Sequence, residues 1–287
     1  MTTRLLVLGG NGMLGVMLSA TAKEDPDLSC IVTTRRGEEG NDGTCFKLEV
    51  EEGNNKQIKE VIDIAAPDVV VNCIGSIKQK RISAREMIYV NSYFPHALAE
   101  VTASYGSRLI HLSTDCVYSG VGGYYNEHDI PDPIDLYGKT KLCGEPMTEN
   151  TITIRTSIVG HEKSTSYSLI DWFLNEQGPV LGYSNAMYSG LTTRSLSKVI
   201  CKVAKEEVFG SGVFHVSAER ISKYDLLNMV NKIYGCEKEI VEAQEPRIDR
   251  TLDSSLFRRL YGWEPEGWKT MVREMKETRS LVGRKDS

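Results

Sequence analysis

The sequence predicts an α/β fold: a doubly wound parallel sheet with a smaller, interleaved C-terminal domain. Three observations carry that prediction. Short, near-continuous apolar runs alternate with helix-length segments, as in strands covered on both faces by crossover helices. A glycine-rich stretch joins the first run to the first helical segment. Beyond Ser157 the alternation fades, and the stretch from Val159 to Gly190 is rich in Ser, Tyr and Gly.

In chain order, the runs that read as buried strands are "RLLVLG" (4–9), "SCIVTT" (29–34), "TCFKLEV" (44–50), "DVVVNCIG" (68–75), "RLIHLST" (108–114) and "TITIRTS" (151–157). Between the fourth and fifth lies one long helical pattern, "ISAREMIYVNSYFPHALAEVTASYG". The last seventy residues carry two amphipathic helical patterns. One of them, "SKYDLLNMVNKIYG", opens at an N-cap, Ser222, and stops at Gly235. The final "GRKDS" reads as a frayed tail. The expected division is a dinucleotide-binding domain over 1–158, joined by part of 191–212, and a substrate-binding domain over 159–287.

Composition excludes several classes. A net charge of -5 leaves no basic footprint for nucleic acid or an anionic membrane. No apolar run approaches the roughly 20 residues of a bilayer span. The strand pattern starting at Arg4 leaves no room for a leader, so none is expected. The seven cysteines, at 30, 45, 73, 116, 143, 201 and 236, are odd in number and form no C-x-x-C pair. Neither a disulfide framework nor a metal site is expected, and the expected compartment is the cytoplasm.

The stretch "VLGGNGMLG" follows the first strand and opens a helix, as the dinucleotide fingerprint of a Rossmann sheet requires. It reads as Gly10-x-Gly12-x-x-Gly15 or as Gly9-x-x-Gly12-x-x-Gly15, and Gly9, Gly12, Met13, Leu14 and Gly15 are its candidate cofactor contacts. An acidic residue ending the second strand would take the adenosine ribose hydroxyl of NAD. Here Thr34, Arg35 and Arg36 stand there, and an arginine fork suits a 2′-phosphate. NADP(H) is therefore the expected cofactor.

"LYGKTKLCGE" places Tyr137 and Lys141 four residues apart, on one helix face. A phenol titrates near about 10 and needs a cationic neighbour to exchange protons at neutral pH. The spacing alone is weak evidence, since Tyr234 and Lys238 repeat it across Gly235. Position favours Tyr137, which follows the fifth strand; that strand ends in "HLSTDCVYSG", with Thr114 at its end.

The glycine loop, "STDCVYSG" and "YGKTK", in this order, resemble the extended short-chain dehydrogenase/reductases. "STD-x-V-Y", Tyr125 and Glu127, Pro131 and Pro133, and "YGKTK" are similar to the dTDP-4-dehydrorhamnose reductase family of nucleotide-sugar reductases. The match runs to about Gly160, and "ISKYDLL" and "TLDSSLF" extend it loosely. The resemblance implies that Thr114 hydrogen-bonds the substrate carbonyl, that Tyr137 donates the proton, and that Lys141 binds the nicotinamide ribose and tunes Tyr137. By the same resemblance Gly75 meets the cofactor, Asn91 matches a helix asparagine, and Thr156 and Ser157 approach the nicotinamide. Departures are Leu8 for a common threonine, Glu49 for an aspartate, and Met17 where some members carry a metal-bridging glutamate.

The implied activity is NADPH-dependent reduction of the C4 keto group of a nucleoside-diphosphate 4-keto-6-deoxy sugar, in deoxysugar biosynthesis. The nucleotide sugar is the expected partner, a homodimer is allowed for, and Arg194 or Lys163 is a candidate diphosphate donor. Two alternatives stand beside it. Strand alternation would aim Cys116 to the same side as Thr114. In related epimerase-reductases a cysteine there transfers protons, which would make the chain a 3,5-epimerase/4-reductase with His161 or Lys163 as partner. Packing beneath the sugar is the plainer reading of Cys116. The other alternative is a non-catalytic subunit resembling the regulatory subunit of methionine adenosyltransferase. Ser113 is expected to serve the strand-end turn and Asp115 to hold the loop through backbone N–H groups.

Overall fold

The structure, a computed structural model, describes residues 2–37, 44–52, 55–79 and 82–283. Of the tail, only Gly283 lies among them. Seven strands form the central sheet: β1 (Thr3–Leu8), β2 (Leu28–Thr34), β3 (Cys45–Lys47), β4 (Val69–Asn72), β5 (Arg108–Leu112), β6 (Thr151–Arg155) and β7 (Gly212–His215). They lie in the order β7-β6-β5-β4-β1-β2-β3, every pair parallel. Chain order reverses beside β1, which opens the ligand crevice beyond the carboxyl ends of β1 and β4.

Alternation along β1 builds two cores. Leu5 and Val7 join the core of α1 (Met13–Lys23) and, later in the chain, the helix Thr193–Ala204. Leu6 and Leu8 join the other, under α2 (Asn55–Ala65). β7 was not legible as a strand. "GVFH" is only four residues long, and it is recruited by pairing with β6, Phe214 opposite Ile154.

The long helical pattern is two helices, α3 (Ala84–Ile88) and α4 (Phe94–Ser104), joined by a π turn over Tyr89–Tyr93. Pro95 explains the interruption, because a proline ring collides with the carbonyl four residues back, here that of Asn91. Next come α5 (Leu136–Cys143), α6 (Leu169–Asn175) and α7 (Thr193–Ala204).

The C-terminal part holds three helices where two were expected: α8 (Lys223–Tyr234), α9 (Ser255–Tyr261) and α10 (Trp268–Glu277). α9, at seven residues, is too short to show a helical period. α8 begins and ends as its sequence predicts, with Ser222 accepting from the Asp225 N–H and Gly235 left-handed at φ 71°. Short strands pair 180–183 with 240–243, and 186–188 with 221–222 and 248–249.

Candidate active site

The turn from β1 into α1 takes the second of the two glycine registers. Gly9 has φ +84°, and a Cβ on Gly15 would lie 2.2 Å from the Gly9 carbonyl oxygen, so helix and turn can close only on glycine. Gly12 stands at the N-cap and offers no side chain. The first-turn N–H groups of Met13, Leu14 and Gly15 are thus left to solvent or an anion, and the helix dipole favours the anion. The Gly10 N–H binds the Thr33 carbonyl at 2.8 Å, which sets the end of β2 beside the loop. Arg35 and Arg36 follow there, exposed. An uncapped glycine cradle next to two arginines fits the diphosphate and the 2′-phosphate of NADP(H).

At the end of β5, Thr114 caps a single 3-10 turn, Asp115–Val117, and accepts the Cys116 N–H at 3.1 Å. α5 packs directly on this turn. Asp135 caps α5 by accepting the Gly138 N–H at 2.8 Å, and the Lys78 ammonium pairs with Asp135 and lies 5.5 Å from the Tyr137 ring centre. Tyr137 is thereby brought beside Thr114, Asp115 and Cys116. One turn on, the buried Lys141 donates to the Leu112 carbonyl at 2.6 Å. Asn91, inside the π turn, donates to the Ser76 carbonyl at 2.9 Å and accepts the Ser76 N–H at 2.8 Å. It also reaches Thr140 at 3.3 Å, so the exposed loop carrying Gly75 is tied to α5.

Burial dominates the electrostatics. It pushes the Tyr137 phenol upward, with Cys116 and Asp115 adding to the rise and the Thr114 hydrogen bond opposing it. Lys141 is lowered to about 8 by burial, against the pull of Glu145. The Cys116 thiol is pushed up to about 11 by burial and then Asp115, while Arg250, Lys78 and Thr114 oppose. Asp115 is raised by burial against Arg250, the hydrogen bonds of Thr114 and Cys116, and Lys223. The set is a protonated phenol, a protonated thiol and a cation at the mouth of a dinucleotide crevice.

A family model described as the RmlD substrate binding domain matches residues 3–280. The chain belongs to that family. It is 23% identical over 300 residues to the dTDP-4-dehydrorhamnose reductase of Aggregatibacter actinomycetemcomitans, covering 95% of this chain and 98% of that protein. Methionine adenosyltransferase 2 subunit beta of Xenopus laevis is 31% identical over 146 residues, 50% of this chain and 41% of that one. Among solved structures, the dTDP-4-dehydrorhamnose reductase from Bacillus anthracis str. Ames in complex with NADP aligns with a TM-score of 0.79. Its sequence identity is 18%, and the alignment covers 96% of this chain and 99% of that one. At that identity the likeness is one of fold.

Within the RmlD fold, this chain departs from several expectations. Strand alternation does not aim Cys116, because β5 ends at Leu112 and Cys116 sits in the 3-10 turn. His161 is occupied elsewhere: buried, 2.7 Å from Asp171 and 2.9 Å from the Tyr234 hydroxyl. Lys163 instead reaches Asn11 of the glycine loop at 3.2 Å. Arg194 is a packing residue between helices, paired with Glu24 at 2.5 Å and Glu274 at 3.5 Å. Ser113 donates to Glu145 at 2.5 Å, in a buried network with Arg155 and Tyr118 that locks β5, β6 and α5 together. Asp115 accepts from the Thr114 hydroxyl at 3.1 Å, a side-chain contact where backbone contacts were expected.

Three residues of the site went unseen in the sequence: Lys78, Lys223 and Arg250. Arg250 donates to the Tyr118 carbonyl at 2.9 Å and lies 3.9 Å from the Cys116 sulfur. Of the loose extensions of the family pattern, "ISKYDLL" contains Lys223 and "TLDSSLF" begins directly after Arg250.

Proposed function

We propose that the chain reduces the C4 keto group of a nucleoside-diphosphate 4-keto-6-deoxy sugar with NADPH, as a nucleotide-sugar reductase of the RmlD family. The observation that carries this reading is the meeting of Tyr137, Thr114 and Lys141 at the carboxyl end of β5, beside an uncapped glycine cradle. The names of the full-length relatives support the substrate class.

Bound NADPH supplies the hydride. Tyr137 stays protonated at neutral pH and delivers its proton to the developing C4 alkoxide. Lys141, anchored to the Leu112 carbonyl, keeps its remaining N–H groups for the nicotinamide ribose and places positive charge below Tyr137. Met13, Leu14 and Gly15 would hold the pyrophosphate through backbone N–H groups, and Arg35 and Arg36 would hold the 2′-phosphate. The substrate's nucleotide end is assigned to the C-terminal half, where a cavity of about 350 Å³ is lined by Trp172, Leu181, Tyr183 and Lys223. Seven cysteines, an odd number with no C-x-x-C pair, support a cytosolic enzyme.

The match to the methionine adenosyltransferase subunit favours a second reading, a non-catalytic regulatory chain. An assay panel of dTDP-, UDP- and GDP-4-keto-6-deoxy sugars separates the two. Oxidation of NADPH with one of them, yielding the 4-hydroxy sugar, is the expected result. No oxidation across the panel overturns the reductase reading.

A further inference from the structure

The segment 161–168 closes on itself before it enters α6. Its root is buried, with Asp171 in the first turn of α6 as the anchor. One Asp171 oxygen lies 2.7 Å from the His161 ring, and the other accepts the Glu162 N–H at 2.7 Å. Glu162 turns its own carboxylate inward, where one oxygen accepts the Tyr167 N–H at 2.7 Å and the Ser168 N–H at 3.0 Å. Ser168 caps α6, and Ser166 accepts from the Asn175 amide at 3.0 Å. The segment is a clasped strap, and Lys163 stands out of it, exposed, beside the clasp.

The Lys163 ammonium lands on the glycine loop, 152 positions away in sequence, and donates to Asn11 Oδ1 at 3.2 Å. Asn11 directly precedes Gly12, the N-cap of α1. Its amide is a neutral partner, and among the described residues no carboxylate pairs with Lys163. An ammonium has three N–H groups, so donors remain for a further acceptor. Charge says which acceptor the loop lacks. The N-terminus of α1 supplies roughly half an elementary charge, while the pyrophosphate of a dinucleotide is a dianion. The chain's net charge of -5 gives that anion no general attraction, so a local cation is needed.

We propose that Lys163 is a dinucleotide-binding residue: from the strap it lays its ammonium on the pyrophosphate that the α1 cradle holds. The inference rests on the reading of that cradle given above. It moves Lys163 from the substrate's diphosphate, for which residue type alone made it a candidate, to the cofactor's. The strap does lead into α6, whose Leu169 and Trp172 line the cavity assigned to the substrate's nucleotide. The contact with Asn11 decides between the two ligands, because it sets the charge on the cofactor's loop.

Direct binding of NADPH and NADH, read from nicotinamide fluorescence with no sugar present, tests this on the whole chain. Lys163→Met should raise Kd about tenfold or more for both, since both carry the pyrophosphate and a hydrogen bond to a charged group is lost. Replacing Arg35 and Arg36 by Ala should weaken NADPH alone. Lys163→Arg should keep most of the affinity. Lys163→Met should also flatten the salt dependence of Kd, because an exposed ion pair is screened by salt. The diphosphate dTDP is the probe for the other assignment. Unchanged Kd values for both dinucleotides in Lys163→Met overturn the inference and leave the cradle standing. A loss confined to dTDP gives the lysine to the substrate and also overturns it. An equal loss in Lys163→Arg, or an unmoved salt slope, would mean that the shape of the strap and not its charge was at work, and overturns it as well. A parent chain that binds neither dinucleotide overturns the cradle and the lysine's role together.

Discussion

Gly138 rests so closely on the carbonyl oxygen of Cys116 that a Cβ there would lie 2.2 Å from that oxygen. This contact seats α5 on the turn at the end of β5, and with it Tyr137 on Thr114. The glycine of "YGKTK" is therefore a packing requirement of the proposed catalytic pair. Gly138→Ala should displace α5, cost about 1–3 kcal/mol of stability as overpacking does, and lower kcat. NADPH affinity should suffer less, since the α1 cradle lies apart from the contact. Denaturant unfolding and steady-state kinetics on the same preparation check both parts, and an alanine variant with parental kcat would refute the link.

Removing the proposed proton donor gives the sharpest functional test. Tyr137→Phe should lower kcat by at least about 10²-fold, the usual scale of acid–base catalysis, with little change in cofactor affinity. Tyr234→Phe is the matched control for the second Y-x-x-x-K spacing. Its hydroxyl lies 2.9 Å from His161, so the control should cost about 1 kcal/mol of stability and spare kcat.

Cofactor choice is proposed to depend on the bend after β2. Arg35 and Arg36 are exposed there with the glycine loop alongside, so kcat/KM should favour NADPH over NADH. Replacing both by Ala should raise KM for NADPH far more than for NADH. Equal use of the two cofactors by the parent chain would show that these arginines serve only the surface.

Lys141 makes stability depend on pH in a defined window. Burial holds it at about 8 in the folded chain, against about 10.4 unfolded. The folded state thus binds fewer protons between those values, and the cost of burying the ammonium, complete below pH 8, is relieved as pH rises through the window. Unfolding free energies of the ligand-free protein should therefore rise from about pH 8 toward pH 10 relative to Lys141→Met. A constant difference between the two proteins across that range would show that the amine is not desolvated.

Epimerase chemistry should be absent. Proton abstraction at C3 or C5 needs a thiol near its titration point and a second acid or base. Cys116 is pushed up to about 11, and His161 is held by Asp171 and Tyr234. Incubating the protein with a 4-keto-6-deoxyglucose nucleotide in D₂O should leave deuterium at C3 and C5 at the uncatalysed background. Incorporation abolished by Cys116→Ser would restore the bifunctional reading.

What the sequence determined by itself was local and periodic. Apolar runs set six of the seven sheet strands, glycine spacing marked the turn into α1, and a capping serine and a left-handed glycine bounded α8. Each of these is decided by a residue's own backbone preference or by burial on two faces, so the chain need not be folded to read it. Tertiary structure alone decided what depends on distant segments meeting. β7 exists because β6 offers an edge; Lys78, Lys223 and Arg250 converge on Cys116 and Asp115 from three separate stretches. Arg194 and His161, plausible donors by residue type, were taken by Glu24 and Asp171. A polar side chain's role is set by which partner reaches it first in three dimensions, and one-dimensional spacing carries that information only within a turn or two of helix.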